Sequence, residues 1–281
     1  VNSFQRFLAS GSAVEEADIV LLGVPFDGTA CFRPGARFGP GSIRFWSDVL
    51  ETYSRPFDKD LTEIHLADAG DLPVLSADWT DASRKIRTAV DEVLVRGAVP
   101  ILMGGEHLVS LPAVEACASR FPGLAVIHLD AHMDLRDDYE GLKFSHATVM
   151  RRIVESAEPG RLLQYGVRSG TREEWVWSCQ RGTVVDDMDA LAELTGVDPV
   201  YLTIDLDVLD PSVMPETGTP EPGGMTFKEL HAVLLALRGK KVVGGDVVEY
   251  CPLPGNGGTS GAVAAKVVRE LIFLIADARG R

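Results

Sequence analysis

The chain has 281 residues, 46% of them hydrophobic and 24% charged, with a formal net charge of −14. That composition belongs to a soluble globular protein, and its acidity argues against a nucleic acid or an anionic membrane surface as partner. It favours a cationic small molecule without identifying one.

No apolar run is long enough to cross a membrane, and Val1–Ser10 lacks the basic and apolar regions of a secretory signal. Cys31, Cys117, Cys179 and Cys251 are widely spaced with no C-x-x-C pair, so they read as reduced thiols of a cytoplasmic protein. Short apolar runs at Asp18–Val24, Ile64–Ala69, Val99–Gly104, Leu124–Asp130, Leu162–Val167, Thr183–Asp186, Val200–Asp207 and Lys241–Glu249 predict strands. Amphipathic stretches at Ser83–Arg96, His107–Arg120, Thr226–Leu237 and Ser260–Ala276 predict helices between them. Near-continuous apolar strands alternating with helices predict an α/β fold, a mostly parallel sheet covered on both faces. No linker or internal repeat interrupts the pattern, so residues 1–281 are expected to form one domain.

An open parallel sheet binds its ligands where the strands end, and several of these ends carry chemistry. The first strand runs into a Gly/Pro-rich segment in which Arg33, Arg37 and Arg44 are expected to be exposed. The third ends in MGGEH, where two glycines let the backbone pass close to a neighbour and His107 opens a helix. There is no phosphate-cradling G-x-x-x-x-G-K pattern.

The fourth strand ends in Asp130, His132 and Asp134, metal-competent side chains at alternate positions that can share one face. A polar turn with a hydrogen-bonded histidine would also read this way. His146 follows Ser145 at a helix start, placed to carry protons at the rim of a cleft. Asp205 and Asp207 close a strand of apolar neighbours, and two buried carboxylates need a cation or a proton. Glu249 stands at the end of the last strand.

His107, Asp130, His132, Asp134, Asp205 and Asp207 together make four carboxylates and two imidazoles, a formal charge that two divalent cations would balance. Oxygen-rich ligation with some imidazole suits manganese better than a structural zinc site. Two metals can share a water and lower its pKa towards neutrality, giving hydroxide.

GGEH, DAHMD, FSHATVMRR, QYGVRSG and IDLDVLDPSVMPETGTPEPGG resemble, in order and over nearly the whole chain, the ureohydrolase (arginase/agmatinase) family, the agmatinase branch most of all. The resemblance implies a three-layer α/β/α domain with an eight-stranded mainly parallel sheet, two Mn2+ per subunit, and homotrimers or homohexamers. It implies hydrolysis of a guanidino compound to urea and an amine. For agmatine the amine is putrescine, a polyamine precursor, and the attacking group is a hydroxide shared by the two metals.

Carried over by motif, His107, Asp130, Asp134 and Asp205 would hold one manganese. Asp130, His132, Asp205 and Asp207 would hold the other. His146 falls on the family's proton-shuttling histidine, Glu249 on the glutamate that grips the guanidinium, and Asp134 would help stabilise the tetrahedral intermediate. Glu106 departs from the family's usual Asp at a position that is not a ligand. The loop LRDDYEGLKFS lacks the Asn/Ser-rich contacts that arginases use for an α-amino acid, while Asp137, Asp138 and Glu140 supply acid near the expected mouth.

A guanidino acid such as guanidinobutyrate, with Arg136, Arg33 or Lys143 as its cation, is the nearest rival substrate, and arginine is another. A single-zinc deacetylase and a non-catalytic relative of the same fold are readings from other classes.

Overall fold

The computed structural model describes residues 5–188, 191, 199–253 and 258–279. In chain order its strands are β1 (Ile19–Gly23), β2 (Tyr53–Ser54), β3 (Lys59–Asp60), β4 (Leu66–Asp71), β5 (Val99–Met103), β6 (Ala125–Leu129), β7 (Arg161–Tyr165), β8 (Pro199–Asp205) and β9 (Lys241–Val248). Seven of them form one sheet in the order β4-β1-β5-β9-β8-β6-β7, and every pairing within it is parallel. A small antiparallel hairpin, β2 with β3, lies outside it and was not expected from the sequence.

The eight-stranded expectation is corrected to seven among the described residues. Thr183–Asp186 touches the sheet through one bridge, Val184 to Gln164 beside β7, and forms no strand. It begins directly after Gly182, whose left-handed conformation ends the preceding helix, and two aspartates follow its apolar pair. That leaves too short an apolar run to propagate a ladder.

The helices are α1 (Gly39–Ser47), α2 (Trp79–Val95), α3 (Ser110–Arg120), α4 (Val149–Ser156), α5 (Arg172–Arg181), α6 (Phe227–Ala236) and α7 (Thr259–Ala278). α2 starts four residues before the expected Ser83, because Asp78 caps it by accepting from the Asp81 amide at 3.0 Å. Thr226 caps α6 with a reciprocal bond to Glu229. Among the described residues no helix is long and apolar enough to cross a membrane.

Each central strand feeds two cores. On β1, Ile19 and Leu21 pack with α1, α6 and α7, whereas Val20 and Leu22 pack with α2, α3 and α4. Period-two alternation with both faces apolar therefore yields a helix–sheet–helix sandwich. All seven strands point the same way, so their carboxyl ends open on one edge, and β5, β9, β8 and β6 lie there side by side.

Arg44 is not exposed as expected. It is buried in α1, where its guanidinium bonds Asp68 through Nε and Nη2 at 2.8 and 2.9 Å and Asp71 through Nη1 at 2.5 Å. Arg37 pairs with Asp27. Gly105 occupies a place only glycine fits, since a Cβ there would lie 1.7 Å from the Phe26 carbonyl oxygen. That contact lets the Glu106 amide donate to the same carbonyl at 2.8 Å and sets His107 against the strand ends.

Candidate active site

The four adjacent strand ends deliver the polar cluster. His107 opens the turn after β5, Asp130 follows β6, Asp205 ends β8, and Glu249 follows β9. Their side chains converge on His107. Its Nδ1 lies 3.0 Å from Asp130 Oδ2 and 3.2 Å from both Asp134 Oδ2 and Asp205 Oδ2. A second group stands beside this one, with His132 Nδ1 at 3.0 Å from Asp207 Oδ2 and 3.6 Å from Asp130 Oδ1. All six residues read from the sequence as candidate ligands are thus brought together. Asp130 belongs to both groups. Asp134 reaches its place with a positive φ of 54°, and Glu249 does so at 63°. Left-handed backbone at two non-glycine residues is costly and marks where the chain bends to aim a side chain.

The tautomer of His107 follows from its other nitrogen. Nε2 is 2.9 Å from Thr203 Oγ1, and that hydroxyl donates to Asp246 Oδ1 at 2.6 Å. Thr203 can then only accept, so Nε2 carries the hydrogen. Nδ1 is left as a buried lone pair without a hydrogen-bond partner, facing three carboxylate oxygens. Lone pairs do not attract carboxylates. The arrangement fits a cation, and its donors, oxygen with imidazole, suit a hard or borderline divalent metal.

The electrostatics agree. Burial, with the charges of Asp207 and Asp130, holds the Asp205 carboxyl well above its usual range. Burial and the charge of Asp130 raise Asp134 to about 6, and the same two causes raise Asp207. Burial opposes protonation of His132, yet its bonds to Asp130 and Asp207 push it up to about 12. A cluster that pulls protons this hard is short of positive charge.

Two supporting residues escaped the sequence reading. His128, inside β6, donates from Nε2 to Asp130 Oδ2 at 2.6 Å, because its Nδ1 accepts from Gln164 Nε2 at 3.0 Å. Gln164 is oriented by the Thr183 hydroxyl, which donates to its Oε1 at 2.9 Å. A histidine amid apolar strand residues, two before Asp130 and on the same face, was the available signal. Arg168 is the second, in the QYGVRSG segment. Its guanidinium donates to the carbonyls of Gly166, Asp207, Val208, Glu221 and Pro222, lacing the Asp205–Asp207 turn to the GTPEPGG loop.

Above the cluster opens a cavity of about 290 Å³, lined among others by Cys31, His132, Asp134, Arg136, Tyr139, His146, Thr219 and Glu249. Glu249 Oε1 accepts from the His107 amide at 2.8 Å, and a Cβ at Gly218 would stand 3.0 Å from its Oε2. Burial, then the charge of Glu106, raises the Glu249 carboxyl well above its usual range. His146 lies across the cavity, its Nε2 3.4 Å from Cys31 Sγ. Burial lowers His146 to about 4, with His132 adding to the effect.

The acidic loop does not supply the expected mouth. Asp137 accepts from buried Arg152 at 2.8 Å, Asp138 accepts from the Gly141 amide at 3.3 Å, and neither they nor Glu140 line the cavity. Arg136 and Tyr139 do, with the guanidinium 4.8 Å from the ring centroid.

Comparison with known proteins gives this geometry a context. An agmatinase of Bacillus subtilis is 42% identical over 275 residues, covering 95% of each chain. A guanidinopropionase of Pseudomonas aeruginosa is 36% identical over 281 residues, covering 93% of this chain and 87% of the other. The structure of proclavaminate amidino hydrolase from Streptomyces clavuligerus superposes with a TM-score of 0.91 at 31% identity, covering 98% of each chain. The arginase family pattern matches residues 17–274, and the chain belongs to the arginase family as a ureohydrolase acting on guanidino groups.

Proposed function

We propose that the protein hydrolyses agmatine to putrescine and urea at a dimanganese centre. One observation carries the metal part of the reading: the bare Nδ1 of His107 faces three carboxylate oxygens, beside a second group built on His132 and Asp207. His107, Asp130, Asp134 and Asp205 would hold one ion, and Asp130, His132, Asp205 and Asp207 the other. Bound there, two divalent cations supply Lewis acidity and make a shared water nucleophilic near neutral pH. For the substrate, support comes from the 42% identity to an agmatinase over 95% of the chain.

The chain's own residues would do the rest. A guanidinium stays charged at neutral pH, and the carboxylate of Glu249 would take its N–H fork on Oε2 while Oε1 remains on the His107 amide. That contact sets the guanidinium carbon over the cluster. Asp134 would accept hydrogen bonds from the N–H groups carried by the guanidino carbon. The departing alkylamine has a conjugate-acid pKa of roughly 10 and leaves poorly without a proton. His146, which lines the same cavity and whose ring burial keeps neutral at pH 7, would take a proton from solvent at one ring nitrogen and pass it to the amine.

Arg136 at the mouth favours one rival, a guanidino acid whose carboxylate it would pair. Stacking on Tyr139 and the approach of its Nε to Glu174 Oε2, 3.8 Å away, already engage it. Urea release from agmatine, guanidinobutyrate and arginine, measured side by side after manganese reconstitution, tests the assignment. Agmatine should exceed the others by at least ~10²-fold in kcat/KM, and parity with guanidinobutyrate would reverse the choice. H146N should retain two metals per chain by elemental analysis and lose ~10²–10⁴-fold in kcat. Loss of metal in that variant would remove His146 from the proton-carrying role.

We also infer that one catalytic domain assembles as a cytoplasmic homotrimer or homohexamer. Phe32, Phe38 and Phe45 are 67%, 64% and 57% exposed, three large apolar side chains of one short stretch that burial between copies would remove from water. Light scattering should return at least three chain masses.

A further inference from the structure

Three loops from separate parts of the chain meet behind His146. Thr29 lies in the segment after β1, Glu106 in the turn after β5, and His146 opens a short helix before α4. Glu106 is wholly buried, and both its oxygens accept from Thr29, with the Ala30 amide as a further donor. The Thr29 amide donates to Oε2 at 2.9 Å and the Thr29 hydroxyl to Oε1 at 2.6 Å. The backbone beneath this contact is locked, since the Glu106 amide bonds the Phe26 carbonyl and Gly105 packs directly against it.

A hydroxyl has one hydrogen to give. With that hydrogen on the carboxylate, the Thr29 oxygen offers only its two lone pairs. Both point at His146: the backbone amide is 3.1 Å away and ring Nδ1 is 3.2 Å away. A lone pair cannot face a bare imidazole nitrogen favourably, so Nδ1 must hold the ring hydrogen. Nε2 is then the nitrogen without a hydrogen, on the cavity side, where it accepts from the Cys31 thiol with Sγ 3.4 Å away. A second wall restrains the ring, for Tyr139 meets it edge to face with centroids 5.5 Å apart.

We propose that Thr29 is a positioning residue for catalysis: its hydroxyl, polarised by Glu106, holds His146 in the Nδ1–H tautomer with Nε2 turned to the substrate. The inference rests on the proton-carrying role assigned to His146 above. The effect acts on the ring and not on the metal cluster. Removing the hydroxyl frees the ring to flip and lets either nitrogen carry the hydrogen, so only part of the population presents a usable nitrogen.

The test compares T29V, T29S and H146N in the manganese-loaded full-length enzyme with agmatine as substrate. T29V should lower kcat by ~10–10²-fold, keep KM within about twofold and keep its metal content. The limb of the kcat–pH profile that reports His146 should move to lower pH, because the imidazolium has lost an acceptor. T29S, which keeps the hydroxyl, should restore both kcat and the limb. In the H146N background T29V should change kcat by less than about twofold.

Unchanged kcat and pH profile in T29V, failure of T29S to restore them, or a T29V effect that multiplies with H146N would each overturn the proposal. A wild-type enzyme silent on every guanidino compound would sink the functional reading alone. The crystal structure of T29V then decides the present point: a turned or split His146 ring supports it, and a ring in the wild-type orientation refutes it.

Discussion

His128 shows how a single side chain can matter without touching the chemistry. Its Nε2–H is committed to Asp130 Oδ2 at 2.6 Å, the oxygen that also lies nearest His107. Partners of this kind fix the lone-pair direction of a candidate ligand and raise its charge density. H128N should therefore weaken manganese binding by ~10–10²-fold, measured by competition against a chelator, while agmatine KM at saturating metal stays near wild type. An unaltered metal affinity would mean that Asp130 is held by its other neighbours. The sequence offered His107, His132 and His146 readily because each stands at a strand end or helix start. His128 sits within an apolar run, where its one mark was a place two residues before Asp130, a spacing that a core histidine can equally hold.

At the level of elements, the site depends on loops held by carbonyl–guanidinium bonds. Arg168 reaches five backbone carbonyls, one in its own segment and four in two other loops, and its planar fork is what allows that many directions at once. A lysine has one nitrogen and cannot span them. R168K should lower stability by ~1–3 kcal/mol and make the enzyme lose metal more readily, read by melting with and without manganese. Retention of the wild-type melting point in both conditions would show that these loops are held by other contacts. The same scale explains the strand that failed to form. Thr183 is spent on Gln164 and so on His128. That segment supports the site and does not extend the sheet.

For the whole molecule, the excess of carboxylates at one edge links folding to pH and to metal. Asp134 has its carboxyl raised to about 6 by burial and by Asp130. A folded-state pKa above the unfolded value means that the group stabilises the fold fully below about 4 and that this help is lost as pH climbs through about 6. Asp205 and Asp207 shift in the same direction. Metal-free protein should therefore become less stable across that window. Bound cations compete with protons and reverse the trend. The gap in Tm between manganese-loaded and chelated enzyme should widen by on the order of 5 °C from pH 4 to pH 7. A constant gap would remove the carboxylate cluster as the metal site.

What the sequence decided by itself was the kind of sheet and the identity of the chemistry. Period-two apolar runs between amphipathic helices require a parallel sheet buried on both faces, and acids and histidines at the ends of such strands have nowhere to go but one edge. Arg44, expected at the surface, is buried, and Asp137, expected near the mouth, is turned to an arginine outside the cavity lining, because pairing partners decide such cases. Asp68 lies 24 residues from Arg44 and Arg152 lies 15 from Asp137. Only the tertiary structure could bring Thr29 within reach of Glu106 and His146, 77 and 117 residues away. Strand periodicity is local, whereas the direction in which a hydrogen bond passes its proton is set by whichever distant groups the fold places at either end.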